Sequence, residues 1–483
     1  MAISDDLGVL IKSNFYHQPT FEQEKVIEMW CNFLLNPCTD EIFLLRGYAG
    51  TGKTSLIGAL VRTLKELKQS VSLLAPTGRA AKVFSLYADS PAYTIHKTIY
   101  RQKAFGIESF LPAPNLHKNT LFIVDEASMI ANEGFSGTIF GRGRLLDDLI
   151  QYVYSCEGCR LILVGDAAQL PPVGEQESPA LSCAMLQGYG FSVKKATLTE
   201  VVRQAQESGI LWNATRLRRQ LEKGLRTMQE IFLPLFNLHF PDICAISGSE
   251  LIESLEDSYR QVGLDGTIIV TRSNLRAGRF NQGIRSRILA YEEELSGGEQ
   301  VMVVKNNYFW TKNPQETMPF IANGDTAVIR RVRGDEHLYG FHFAQATLRF
   351  PDYDDQELEA MVLLDTLHSE APALSHEQQE TLFQAVWDEW PEIRNQKDRR
   401  KKVQEDRHFN ALQIKYAYAV TCHKAQGGQW SHVYIDQGYI TSDMRNSDYI
   451  RWLYTALTRA TERVFLLNWP DEQIEKTINS HIE

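Results

Sequence analysis

The pattern G-x-x-x-x-G-K-[ST] is matched at every fixed position by the stretch Gly47-Tyr48-Ala49-Gly50-Thr51-Gly52-Lys53-Thr54. Residues 42–45, just before it, are all apolar and are typical of a short buried strand. The residues after it carry apolar side chains three or four positions apart, as an amphipathic helix does. A glycine-rich turn between a strand and a helix presents backbone N–H groups to anions. The sequence therefore predicts a site for the phosphates of a nucleotide.

Each residue type in this loop has a defined task at such a site. We expect Lys53 to reach the β and γ phosphates and Thr54 to offer its hydroxyl to Mg²⁺. The glycines let the backbone curl around the phosphate oxygens. The predicted nucleotide contacts of the loop are Gly47, Gly50, Thr51, Gly52, Lys53, Thr54 and Ser55.

Two acidic residues, Asp125 and Glu126, follow an apolar run at residues 120–124. Nucleotide hydrolysis needs one carboxylate that holds Mg²⁺ through its water ligands and a neighbour that orients and deprotonates the attacking water. We assign the first task to Asp125 and the second to Glu126. A further apolar run, residues 161–164, leads to Gln169, whose amide is suited to sensing a γ-phosphate by hydrogen bonding.

Two more segments present candidate polar side chains. Residues 71–74 lead into Pro76-Thr77-Gly78, and residues 94–100 include His96 and Lys97. Ligands bind at the carboxyl edge of the strands in open α/β sheets, where such groups would meet. A core histidine beside a surface lysine is the alternative for His96 and Lys97.

Length and composition indicate a soluble protein with more than one domain. The 483 residues exceed the usual size of one domain, so about two to four are expected. The amino terminus lacks the features of a secretory signal, and no apolar run is long enough for a membrane helix, so we expect a cytoplasmic protein that does not contact membranes. The seven cysteines are scattered and odd in number, which favours reduced thiols.

The net charge of −10 has a local origin. Twelve acidic residues and no Lys or Arg lie between Asp352 and Glu392, so the remainder of the chain is close to neutral. Five arginines, by contrast, lie within sixteen residues that contain no carboxylate. This cluster would suit a nucleic-acid backbone, and a solvated helix face is an equal alternative. Its members are Arg272, Arg276, Arg279, Arg285 and Arg287.

Eight segments, taken in chain order, resemble the successive motifs of superfamily 1 helicases. The form T-x-H-K-x-Q-G of the seventh segment is similar to the RecD-like branch, subclass B, which moves 5′ to 3′. The segments are residues 47–54, 75–81, 94–100, 124–128, 165–173, 198–204, 418–427 and 454–460.

The resemblance implies roles for residues that spacing alone does not assign. Gln23, which from spacing would be a helix-surface residue, becomes the contact to the adenine edge of ATP. Arg203 and Arg459 resemble arginine fingers that the second motor domain supplies to a γ-phosphate on the first, a task suited to guanidinium groups. The residues implied to track the DNA strand, mostly through its phosphates, are Pro76, Thr77, Gly78, His96, Lys97, Thr421, His423 and Lys424.

The resemblance also implies an α/β fold class with two tandem RecA-like P-loop motor domains. We expect residues 1–200 to form the first domain, residues 201–300 and 411–483 the second, and residues 301–410 an inserted SH3-like β-barrel. Residues 101–118 would form a hairpin that acts as a duplex-splitting pin, or else a plain surface loop. No family motif covers the acidic and basic region 352–408. It could pack against the pin or bind a partner, and a charged helical excursion without a specific role is the default.

The sequence therefore predicts an ATP- and Mg²⁺-dependent 5′-to-3′ DNA helicase and translocase. We expect a monomer that binds single-stranded DNA and duplex junctions with a 5′ single-stranded tail. DNA-processing proteins are the expected class of further partners. Two alternatives stay open. One is a translocase subunit that needs partners to unwind, and the other is an ATP-gated module that binds single strands.

Overall fold

The protein is described by a computed structural model that covers residues 3–38, 40–102, 110–133, 143–202, 207–227, 234–311, 318 and 320–475. Its amino-terminal half is organised around a parallel sheet with the spatial strand order β3-β2-β6-β7-β1-β8, and β4 and β5 pair separately as an antiparallel hairpin. The strands are β1 (Glu41–Gly47), β2 (Ser70–Ala75), β3 (Ala92–Thr94), β4 (Tyr100–Gln102), β5 (Phe110–Pro112), β6 (Thr120–Val124), β7 (Arg160–Gly165) and β8 (Ser192–Leu198).

Both faces of this sheet are buried by helices. Ile42 and Leu44 of β1 point into one apolar core, and Phe43 and Leu45 point into another on the opposite face. The run at residues 42–45 is therefore a buried strand of the kind that parallel sheets require. The helices of this half are α1 (Ile3–Ser13), α2 (Phe21–Leu35), α3 (Lys53–Glu66), α4 (Gly78–Ala88), α5 (Ile95–Ile99), α6 (Leu145–Tyr154) and α7 (Cys183–Gly188).

The second half contains another parallel sheet, with a closed barrel inserted into it. The sheet has the order β16-β10-β17-β18-β9, and the barrel is formed by β11 to β15. The strands are β9 (Ile243–Ile246), β10 (Thr267–Thr271), β11 (Gln300–Val303), β12 (Thr326–Leu338), β13 (Phe341–Phe350), β14 (Gln356–Leu363), β15 (Leu412–Tyr416), β16 (Ala419–Thr421), β17 (Trp430–Asp436) and β18 (Ala460–Leu467). Two tandem RecA-like domains with an inserted β-barrel are thus confirmed.

The helices of the second half flank its sheet or pack on the barrel. We placed the end of the inserted barrel at residue 410. The last barrel strand, β15, begins after that residue, and it pairs with both β14 and β11. The domain bounds otherwise stay a prediction. The helices are α8 (Gly209–Thr227), α9 (Leu251–Val262), α10 (Asn274–Arg287), α11 (Asp365–His368), α12 (His376–Asp388), α13 (Gln396–Gln404), α14 (Cys422–Ala425) and α15 (Ser447–Leu457).

The charged region between β14 and β15 is helical and packed. Leu382 and Val386 of α12 and Val403 of α13 are buried in one apolar cluster with Phe343 of the barrel. Arg399 of α13 donates to the backbone of α12. The two charged helices therefore form a cap on the outside of the barrel.

The hairpin of β4 and β5 lies inside the segment expected to form the pin. Residues 103–109 lie outside the described residues, and the role of the hairpin stays a prediction. Among the described helices, none combines the length and the apolar character needed to cross a membrane.

Candidate nucleotide site and interdomain cleft

The phosphate loop connects β1 to α3, so the expected strand, turn and helix are in place. Gly50 and Gly52 have φ angles of 74° and 77°, in the left-handed region that favours glycine. A Cβ atom on Gly47 would lie 2.7 Å from the Lys53 side chain. The glycines of the pattern are thus required by the backbone path and by the close approach of Lys53.

The Lys53 side chain lies within the loop. Its Nζ donates to the backbone oxygens of Gly47 and Tyr48, at 2.7 and 2.9 Å. Its charge also lowers the pKa of Asp125, opposing the larger effect of burial. Lys53 therefore lies between the loop and the acidic residues of neighbouring strands, where the charge of a triphosphate would be balanced.

Gln23 lies against the same loop. Its Nε2 donates to the Thr51 oxygen at 3.0 Å, and its Oε1 accepts from the Thr20 N–H at 2.9 Å as part of a capping box on α2. The side chain is only 2% exposed, so the surface reading from spacing is wrong. The structure brings Gln23 to the nucleotide loop, and the contact to adenine stays a prediction.

Asp125 and Glu126 lie at the carboxyl end of β6, as expected. Asp125 accepts hydrogen bonds from the Glu126 N–H, at 2.8 Å, and from the Tyr87 hydroxyl. Burial raises the pKa of both carboxyls, and the charge of Arg459 opposes this rise at Glu126. Glu126 has a left-handed backbone, with φ of 51°. A side chain held in this uncommon conformation beside a second acid is typical of a functional position.

Oxygen donors suited to Mg²⁺ are available at this edge. Thr54 is exposed in the first turn of α3, and Asp125 directly follows β6, two strands away from β1 in the sheet. Both Asp125 oxygens accept protein hydrogen bonds, which fits an ion held through its water ligands. Hydroxyl and carboxylate oxygens are the ligands that Mg²⁺ prefers.

Gln169 follows β7 and is buried. Its Oε1 has no hydrogen-bond partner within the part of the chain that the structure describes. Asp166, three residues earlier, was missed by the sequence reasoning although it directly follows an apolar strand, as Asp125 does. Asp166 is buried, and burial raises its pKa while the charge of Lys53 lowers it. A second buried carboxylate therefore lies near the phosphate loop.

Tyr454 of the second domain joins the phosphate loop to Asp166. The Ala49 N–H donates to the Tyr454 hydroxyl at 2.9 Å, and that hydroxyl donates to Asp166 Oδ2 at 2.5 Å. Next to it, the Leu170 N–H donates to Thr455 Oγ1 at 2.9 Å. The carboxyl-terminal half of α15 thus contacts both the phosphate loop and the loop after β7 in the first domain.

Arg459 lies in the same cleft and is 3% exposed. Its guanidinium donates to the Thr455 and Gly428 oxygens, at 3.1 and 3.2 Å, and to Thr458 Oγ1 at 3.2 Å. Its charge reaches Glu126 across the cleft. The structure therefore brings Arg459 to the acidic pair, whereas the other expected finger, Arg203, lies outside the described residues.

The expected strand-tracking residues fall at the carboxyl edges of both sheets. Pro76, Thr77 and Gly78 follow β2. A Cβ atom on Gly427, in the second domain, would lie 3.1 Å from Thr77 Oγ1. The tracking segments of the two domains therefore meet across the cleft.

His96 and Lys97 lie on α5, beside this edge. Because β2 and β3 pair in parallel, α5 begins next to α4. Burial lowers the pKa of His96 to about 4, so this imidazole is neutral near pH 7. Burial also lowers the pKa of Lys97. His96 can therefore act as a hydrogen-bonding group but not as a cation.

Thr421, His423 and Lys424 lie at the end of β16. Thr421 and Lys424 line a cavity of about 270 Å³, together with Lys415 of β15, which the sequence reasoning missed. Burial, with the nearby charge of Lys415, lowers the pKa of Lys424 to about 8. Two lysine side chains that share one cavity form a cationic pocket suited to a phosphate.

The arginine cluster has divided roles. Arg276 pairs with Asp436, and Arg285 pairs with Glu299 at 2.6 Å. Arg279 lines the cavity described above. The cluster is therefore neither a uniform nucleic-acid surface nor a solvated face, because two of its members serve ion pairs within the fold.

Comparisons with known proteins agree with this architecture. A family model described as an AAA domain matches residues 35–230, and one described as a UvrD-like helicase C-terminal domain matches residues 416–467. The first match contains every strand of the first sheet, and the second contains β16, β17 and β18 of the second sheet.

Relatives match most of the chain. An uncharacterized protein of Acanthamoeba polyphaga mimivirus, R530, is 23% identical over 89% of this chain and 96% of its own length. The ATP-dependent RecD2 DNA helicase of Deinococcus radiodurans is 25% identical over 88% of this chain. The chain spans 46% of that relative's length. A crystal structure of Pif1 helicase from Bacteroides with ADP-AlF3 and ssDNA has 15% identity, a TM-score of 0.46 and 95% coverage of both chains.

The order of the motifs, the match of one family model to each parallel-sheet domain and the similarity to RecD2 agree with one another. Together they support a superfamily 1 helicase of subclass B, similar to the RecD-like family.

Proposed function

We propose that the protein is an ATP-dependent DNA helicase that tracks along single-stranded DNA in the 5′-to-3′ direction. One observation carries the proposal. The phosphate loop and the Asp125–Glu126 pair of the first domain face Tyr454 and Arg459 of the second domain across one cleft. A nucleotide bound there would be contacted by both domains, so its hydrolysis would alter their contact.

The residues at the cleft suit each part of the hydrolysis. Lys53 and the loop N–H groups would hold the phosphates, and Glu126 would take a proton from the attacking water. Bound Mg²⁺, held by Thr54 and Asp125, would neutralise charge on the phosphates. Arg459 would stabilise the charge that develops on the γ-phosphate.

Residues near Glu126 would complete the hydrolytic site. Gln169 would orient the water or sense the γ-phosphate, which fits its buried and unpaired Oε1 within the described chain. Arg203 would be the second finger. Gln23 would contact adenine after a rearrangement of its present hydrogen bonds to Thr20 and Thr51.

The DNA track would run along the carboxyl edges of the two sheets. Thr77 in the first domain and Thr421 in the second would bind successive phosphates, and the pocket of Lys415 and Lys424 would attract the same backbone. Such contacts read no sequence. The β4–β5 hairpin would act as the pin. The 5′-to-3′ polarity rests on the resemblance to subclass B.

The decisive experiment is strand separation by the purified protein with ATP and Mg²⁺ on duplexes that carry a 5′ or a 3′ single-stranded tail. We expect unwinding from the 5′ tail alone. Unwinding from the 3′ tail alone would overturn the polarity, and ATP turnover stimulated by single strands without unwinding would indicate a translocase subunit. Binding of single strands without turnover would indicate a binding module.

Two variants of α3 provide the controls for this experiment. Lys53→Ala should abolish both ATP turnover and unwinding, because it removes the phosphate-facing ammonium. Lys65→Ala removes an exposed lysine from the same helix and should leave both unchanged. Turnover retained by Lys53→Ala would contradict the assignment of the phosphate loop.

A further inference from the structure

The β12–β13 hairpin of the barrel carries a group of side chains that the helicase proposal does not use. His337 of β12 lies opposite His342 of β13 in the strand register. Asp335 lies two residues before His337, next to a register shift at Gly334, whose φ is 63°. Residues two apart on one strand and opposite on the next share one face of a sheet. Three donor side chains are therefore placed on the same face of the hairpin.

Their donor atoms converge. One ligand atom from each of Asp335, His337 and His342 lies within 4.8 Å of the other two. The imidazole rings of His337 and His342 stack, with ring centres 4.0 Å apart. Asp335 and His337 are exposed, so solvent reaches the group and small side-chain rotations can close the remaining distance.

A second layer of residues orients His342. Its Nδ1 lies 2.9 Å from Glu294 Oε2, and the other Glu294 oxygen lies 3.0 Å from His368 Nε2. The backbone N–H of His342 donates to Asp365 at 2.7 Å. A histidine that donates from one ring nitrogen to a carboxylate presents the other nitrogen as a ligand, the arrangement common around protein-bound zinc.

The other nitrogen of His342 faces a second carboxylate. Its Nε2 contacts Asp335 Oδ1. A neutral imidazole carries one proton, and when that proton is on Nδ1, facing Glu294, the Nε2 lone pair points at the Asp335 oxygen. A positive charge is then required between them. A proton would satisfy only these two atoms, whereas a metal ion would also bind His337.

We propose that Asp335, His337 and His342 bind a divalent transition-metal ion, with Zn²⁺ as the best match. Two imidazole nitrogens and one carboxylate oxygen are a donor set that favours Zn²⁺ and its first-row neighbours over Mg²⁺. Three protein ligands leave a fourth position for water. The ion would brace the hairpin and, through Glu294 and His368, the segment that leads into the barrel and α11.

The test is a titration of the metal-free, untagged full chain with Co²⁺, followed by its visible absorption, and then with Zn²⁺ by calorimetry. Excess Mg²⁺ is present throughout so that oxygen-rich sites such as Thr54 and Asp125 are occupied. No DNA or nucleotide is added, so the result is independent of the helicase proposal. We expect one saturable site per chain, with Zn²⁺ displacing Co²⁺.

Three variants sharpen the test. His337→Ala, at an exposed position, should abolish the Co²⁺ spectrum without disturbing the barrel core. Glu294→Gln should weaken binding about 10–100-fold, as loss of an orienting carboxylate does. His376→Ala is the matched control, because His376 is an exposed histidine near a carboxylate, Glu380, outside the group. Absence of saturable binding, or binding that His337→Ala leaves intact, would overturn the proposal.

Discussion

At the scale of single residues, the cleft concentrates buried acids and compensates them with cations. Burial raises the pKa of Asp125, Glu126 and Asp166, and Lys53 opposes the rise at each of them. A carboxylate that is difficult to ionise in isolation is a stronger proton acceptor when it does ionise. This combination fits a base that must take a proton from water, and it supports the proposal that Glu126, on whose pKa the charge of Arg459 also acts, has that role.

Glu126→Gln tests that role. Glutamine keeps the shape of the side chain but cannot accept a proton, so we expect ATP to bind normally and hydrolysis to fall by about 10²–10⁴-fold. Binding of a fluorescent ATP analogue and phosphate release measure the two quantities separately. Glu133→Gln, at an exposed acid nearby, should change neither. Full hydrolysis by Glu126→Gln would mean that another residue is the base.

Single-residue roles were predictable where a motif is local. The phosphate loop, Asp125 and Glu126 each follow directly from a strand that can be recognised in the sequence. Asp166 and Tyr454 could not be paired, because 288 residues separate them and only the packing of two domains brings them together. Gln23 shows the opposite case, since its spacing suggests exposure while its neighbours in the fold bury it.

At the scale of elements, the barrel is docked on α4, the helix that begins in the expected DNA-tracking segment. A Cβ atom on Gly78 would lie 2.5 Å from the Tyr353 hydroxyl of the barrel. Tyr353 donates to Asp325 at 3.0 Å, and Lys82 of α4 bonds the Pro351 oxygen. Glycine at position 78 thus permits the barrel to approach the first domain closely.

Asp325 makes this junction sensitive to pH. Burial raises the pKa of Asp325 to about 7, against about 3.9 in an unfolded chain. The stabilisation is fully present below the unfolded pKa and is lost as pH rises through the folded pKa. We therefore expect the thermal midpoint of the protein to fall, relative to that of Asp325→Asn, between pH 5 and about pH 7, and to level off above it.

The pH dependence of Asp325→Asn is to be compared with that of an exposed neighbour. Asp354 lies in the turn after β13 and is exposed. The thermal midpoint of the Asp354→Asn variant should therefore follow that of the wild type across the same pH range. Parallel curves for the wild type and Asp325→Asn would show that the buried carboxyl does not titrate in this interval.

Elements were predictable where periodicity is strong and were hidden where composition misleads. The strand before the phosphate loop and the helix after it follow from the sequence, but closure of the barrel pairs Val301 with Tyr416 across a long insertion. In the charged helices, few apolar residues carry the packing. The high charge of α12 and α13 therefore hid from sequence analysis that these helices pack on the barrel.

At the scale of the whole molecule, the two RecA-like domains are joined by hydrogen bonds at the cleft. Gln426 Nε2 donates to the Leu170 oxygen at 2.7 Å, and Arg79 donates to the Gln429 oxygen at 3.0 Å while its guanidinium lies 3.9 Å from the Trp430 ring centre. Leu170 directly follows Gln169 in the loop after β7, and Arg79 lies in the first turn of α4. A change at the nucleotide site can therefore be transmitted directly to the domain contact.

Tyr454→Phe tests this coupling. Phenylalanine fills the same buried space but lacks the hydroxyl that joins Ala49 to Asp166. Leaving buried polar partners unsatisfied costs about 1–3 kcal/mol, which corresponds to a shift of roughly 5- to 150-fold in the equilibrium between joined and separated domains. Hydrogen exchange should therefore accelerate in both residues 47–54 and residues 450–457. Tyr439→Phe, at a side chain that is 85% exposed, should leave exchange unchanged. If Tyr454→Phe also left both segments protected, the hydroxyl would not hold the domains together.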